Sequence, residues 1–92
     1  MLDRRPDTGS SLGFVDSTKQ QATIDLLGVL AYGELQAFER LSQDAVLSPD
    51  LAGREAVTEM AIGEYGHYKI LVEGLRARGA DPLVAMRPFV AP

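Results

Sequence analysis

Ninety-two residues with 46% hydrophobic content suit one small domain with a modest core, and the lack of cysteine excludes disulfides and thiolate metal sites. A formal charge of −4, with only nine Lys and Arg, argues against DNA as a partner, because phosphate binding needs clustered cations. No apolar run reaches the length of a membrane span, and the N-terminal "MLDRRPDTGSSLG" lacks the apolar core of a secretory signal, so a soluble cytoplasmic protein is expected.

In chain order, residues 1–16 are rich in Asp, Arg, Gly, Ser and Pro and carry no periodic apolar pattern, which predicts a flexible leader. A first helix is expected to open at "DSTKQQ", where Ser17 or Thr18 caps and Gln20 or Gln21 follows three residues on, and to run over about 17–46. "LSPD" ends it. There Ser48 suits an N-cap, Pro49 fits the first turn because its missing N–H costs nothing, and Asp50 complements the positive end of the dipole. The second helix is expected over about 49–78, stopped at "RARGADP" by a left-handed Gly79 and then Pro82. Asp81 and Pro82 predict one more short helical turn over about 82–87. Lys69, Arg76 and Arg78 lie toward the end of the second helix, where cations complement the dipole.

A connection of only a few residues makes the two long helices antiparallel neighbours, so the fold class is all-α, a two-helix hairpin. On the first helix Ile24, Leu27, Ala31, Glu34, Phe38, Leu41 and Ala45 recur at steps of three and four, and Glu34 interrupts an apolar stripe. On the second, Val57, Met60, Glu64, His67, Leu71 and Leu75 form the corresponding stripe, with two ionisable members. Glu34 lies 15 residues before Pro49 and Glu64 lies 15 after it, so both stand roughly 22 Å from the turn at ~1.5 Å per residue. His67 is one turn further along the same side. Two carboxylates and an imidazole should therefore meet in the buried face of the hairpin.

Such a cluster is costly without a counter-charge, and a cation between its members resolves the cost. Mixed carboxylate and imidazole donors suit a first-row metal such as iron or manganese better than calcium or magnesium. Di-iron and di-manganese carboxylate bundles take a lone Glu from each of two helices and a Glu-x-x-His from each of the other two. Glu34 with "EYGH" is one half of that set. Tyr32, Tyr65, Tyr68 and Phe38 read as packing groups around it, and Glu39, Glu55, Glu59 and Glu73 as members of solvated faces. Gly63, Gly66 and Gly74 each weaken a helix by about 1 kcal/mol relative to Ala, and close helix approach would account for them.

The segments "DLLGVLAYGELQAFERLSQDA" and "EMAIGEYGHYKILVEGLRARGADPLVAMRPFV" resemble the first hairpin of the ferritin-like superfamily. More closely, the chain over about 20–92 is similar to an actinobacterial family likened to the tRNA hydroxylase that acts on 2-methylthio-N6-isopentenyladenosine. The resemblance implies a four-helix bundle, a dinuclear non-haem iron site and oxygen-dependent hydroxylation. It makes Glu34 a terminal carboxylate ligand, Glu64 a bridging carboxylate and His67 an imidazole ligand, with tRNA as a substrate by analogy. The second hairpin of such a bundle does not appear before "FVAP". Three readings follow: the N-terminal half of a di-iron oxidoreductase completed by its own C-terminal half, a protomer that completes an iron-oxidising site in a homodimer, or a non-enzymatic helical module with a vestigial site.

Overall fold

A computed structural model describes the backbone of residues 5–92 and the side chains from Asp16 onward. Helix α1 spans Arg5–Leu47, α2 spans Leu51–Ala77, and a short α3, Pro82–Met86, runs into a 3-10 turn at Arg87–Phe89. The fold is all-helical among the described residues, with α2 packed antiparallel along the C-terminal part of α1 and α3 folded back onto α1. No helix among the described residues is long and apolar enough to cross a membrane.

The start of α1 corrects the expectation of a capped helix beginning near Ser17. Residues 1–4 of the expected leader lie outside the described residues, but from Arg5 the chain is helical and passes through Ser17 and Thr18. A capping residue marks where a helix is able to begin, not where it must. Between Pro6 and Pro49 there is no proline to stop the helix. Gln21, expected at the reciprocal position of a capping box, instead donates along the helix to Asp25 Oδ1 at 2.9 Å, and the Thr23 hydroxyl donates back to the Lys19 carbonyl at 3.0 Å.

The turn also differs in detail. Asp50, not Ser48, is the N-cap of α2: its carboxylate accepts the Gly53 N–H at 2.7 Å. Ser48 Oγ donates to the Asp44 carbonyl at 3.4 Å and so closes the preceding helix. The carboxylate has the advantage of a full negative charge at the positive end of the helix. At the other end, Gly79 takes φ +77°, its N–H reaches the Arg76 carbonyl at 2.9 Å, and the Ala80 N–H reaches the Leu75 carbonyl at 3.0 Å. That paired closure is a Schellman motif, for which glycine is the favoured residue. Asp81 then caps α3 by accepting the Leu83 N–H at 2.9 Å, with Pro82 in the first turn.

The core follows the seam of α1 closely and that of α2 with a rotation. Ala31, Leu75 and Met86 form the buried centre, with Ile24, Leu27, Tyr32, Tyr68 and Leu71 packed around it, and Ala45 and Ala61 are buried nearer the turn. Alanines at these crossings let the helices approach closely, and full burial of Leu75 contributes about 1.5–3 kcal/mol. On α2 the buried positions are Ala61, Val72 and Leu75, whereas Met60, assigned to the seam from the sequence, is 57% exposed. Gly28 is where α3 crosses α1: a Cβ built there would strike the Ala85 carbonyl. Gly74 meets only Leu27 Cδ1, at an ordinary 3.7 Å, and Gly63 and Gly66 meet nothing within 4 Å, so packing within the hairpin does not explain the last two.

Candidate metal centre

Glu34 projects from the C-terminal half of α1, one turn beyond the buried Ala31, and Glu64 and His67 project from adjacent turns of α2. The hairpin brings all three together. His67 Nδ1 lies 3.5 Å from Glu64 Oε1 and 3.7 Å from Glu34 Oε1, and one donor atom from each residue falls within a group no wider than 4.8 Å. The two distances are longer than a good N–H···O hydrogen bond, ~2.7–3.2 Å. They suit donors sharing one ion, since two atoms each about 2.0–2.2 Å from a metal lie no more than about 4.4 Å apart.

The cluster sits at the edge of the helix interface rather than within it, which corrects the expectation of a buried trio. The Glu34 and Glu64 side chains are 28% and 31% exposed and that of His67 is 62% exposed. The cause is the rotation of α2: Ala61 and Tyr68 take the inward positions, and residue 67 follows about 100° short of Tyr68 around the helix. The Phe38 ring lies 5.2 Å from that of Tyr65 at an interplanar angle of 53°, and Tyr65 lies 5.4 Å from Tyr68. These rings, read from the sequence as separate packing groups, form a continuous aromatic row across the two helices.

Electrostatics at the trio is unbalanced. Among the described residues, no Lys or Arg forms an ion pair with Glu34 or Glu64; the one Arg–carboxylate pair, Arg76 with Glu73 at 3.0 Å, is on the surface. Glu34 Oε1 is buried without a hydrogen-bond partner. The Glu34 carboxyl is held above its ordinary pKa, first because Glu64 beside it favours a shared proton, then because burial and the Glu64 charge disfavour ionisation; His67 acts in the opposite sense. An orphaned carboxylate oxygen, a second carboxylate and an imidazole nitrogen facing both are a donor set that fits a divalent first-row metal. Glu39, Glu55, Glu59 and Glu73 are exposed and stand apart from this set.

An all-helical hairpin carrying a Glu and a Glu-x-x-His at one height defines a ferritin-like class of protein. Residues 17–92 match the model of a family described as a ferritin-like domain of actinomycetes, and the chain belongs to that family. No curated protein matches it.

Proposed function

We propose that this chain supplies one half of a dinuclear metal centre of the ferritin-like carboxylate type, which the Glu34 and Glu64 carboxylates and the His67 imidazole would hold. Glu34 Oε1, without a hydrogen-bond partner and facing a second carboxylate, with no Lys or Arg paired to either among the described residues and only the His67 imidazole beside them, is the observation that carries this reading. Iron is the favoured metal, and manganese fits the same donors. When bound, such a pair of ions supplies dioxygen-dependent redox chemistry.

The rest is done by side chains of this chain. Glu34 and Glu64 would offset the charge of the ions, and Glu34, whose carboxyl is held above its ordinary pKa, would bind as the carboxylate. The resemblance of the sequence to tRNA-modifying hydroxylases supports oxygen-dependent hydroxylation as the activity of the completed centre, with tRNA the substrate by analogy. A second reading, oxidation of iron itself, draws on the solvent-open side of His67, which admits a small ion directly.

Anaerobic equilibrium dialysis against Fe(II), followed by exposure to oxygen, tests the proposal. Glu34, Glu64 and His67 should each be required for bound iron and for oxygen uptake. Uptake that is indifferent to Glu64→Gln and His67→Ala would remove the trio from any metal chemistry.

A further inference from the structure

Near the turn, α1 and α2 leave a cleft of about 400 Å³ between them. It opens on the side of the hairpin away from the metal trio. Counted at ~100° per residue from the buried Ala61, Thr58 and Ile62 of the cleft lie about 60° and 100° to one side of α2, whereas Glu64 and His67 lie about 60° and 120° to the other. Whatever completes the metal centre has to face Glu64 and His67, so it leaves this cleft open. The walls are apolar, with Val46 from α1 and Ala61 and Ile62 from α2, and Val46 and Ile62 are 66% and 63% exposed. The polar groups are few and none is acidic: the Arg54 guanidinium at the turn end and the hydroxyls of Ser42 and Thr58. Among the described residues no carboxylate pairs with Arg54. Asp50, one turn before it, is engaged in capping the Gly53 N–H at 2.7 Å.

We propose that this cleft binds a small amphiphilic carboxylate, its head on the Arg54 guanidinium and its tail along Val46, Ala61 and Ile62. Charge selects the class of ligand. In a chain of net charge −4, one arginine free of any carboxylate stands over an apolar surface, and a monoanion balances it. A phosphate dianion would bring a second negative charge with no cation to meet it. The planar guanidinium matches the two oxygens of a carboxylate, and the Ser42 hydroxyl is a further donor for the same group. Size agrees with this. Small-molecule sites enclose about 300–1,000 Å³ and combine apolar walls with a few placed polar groups. Arg54 and Ile62 are eight residues apart, about 12 Å along the helix, which gives room for a medium-length alkyl tail. The site is independent of any metal bound on the other side of the hairpin.

Titration of the full, isotope-labelled chain with decanoate, without added metal and followed through amide NMR shifts, tests the proposal. Saturable shifts should gather around Ser42, Val46, Arg54 and Ile62. Arg54→Gln should raise the Kd by about tenfold or more, and Ile62→Glu, which sets a like charge beside the ligand, by at least as much. Ile70→Glu, at a 70% exposed position on the outer side of α2, should leave it unchanged; circular dichroism checks that all three variants keep their helices. Decanol, the same tail without the charge, should bind about tenfold or more weakly than decanoate. Binding that does not saturate, that is equally tight in Arg54→Gln, or that is matched by decanol overturns the proposal. So do shifts that gather at Glu34 and His67 instead of the cleft.

Discussion

Glu34 and His67 belong to different helices, yet their Oε1 and Nδ1 atoms lie 3.7 Å apart, with Glu64 alongside both. The separation exceeds a good hydrogen bond and falls within the span of two ligands on one ion. Replacing His67 by Ala should therefore weaken Mn(II) or Fe(II) binding by tenfold or more, as titration calorimetry would show. Stability should barely move, by roughly 0.5 kcal/mol or less, because the side chain is largely exposed.

The raised pKa of Glu34 predicts a pH dependence for the metal-free protein. A carboxyl whose folded-state pKa lies above its ordinary value of 4.5 adds stability below that value and loses the contribution as pH rises through the folded-state pKa. Denaturation midpoints of the metal-free chain should thus fall as pH rises above 4.5, and Glu34→Gln should flatten the slope in that window. A variant whose midpoints track those of the native chain would contradict the assignment.

Gly28 is the point of closest approach between α3 and α1, so Gly28→Ala should destabilise the fold by about 1–3 kcal/mol through overpacking against Ala85. Gly66→Ala fills open space within a helix and should stabilise by up to ~1 kcal/mol. Chemical denaturation of the two variants checks the opposite signs.

The choice of cap at the turn is testable by one pair of substitutions. Asp50→Ala removes the acceptor of the Gly53 N–H and should cost about 1 kcal/mol. Ser48→Ala loses only a long 3.4 Å bond to Asp44 and should cost a few tenths of that. Equal losses would mean that the two residues share the cap.

The hairpin and the height of its cluster were legible because both depend on few quantities: a turn at Pro49, a fixed rise per residue, and acids equidistant from the turn. The phase of α2 was less legible. Met60 and Ala61 are adjacent, and hydrophobicity alone favours the larger residue for the seam, but close helix approach favours alanine and turns methionine outward. His67 shares that rotation and stands at the edge of the interface instead of inside it. Ser48 and Asp50 are both competent caps two residues apart, and only the geometry shows which N–H each oxygen reaches. The entry to α1 was misplaced because "DSTKQQ" satisfies the pattern of a helix start while nothing upstream of it, past Pro6, forces a stop.

The central claim, that three side chains of this hairpin hold a metal, is tested most directly by counting ions bound per chain in anaerobic equilibrium dialysis. The native chain should take up about one Fe(II) or Mn(II), half of a dinuclear centre, and Glu64→Gln should take up almost none. Equal uptake by the native chain and by a variant lacking all three of Glu34, Glu64 and His67 would contradict it.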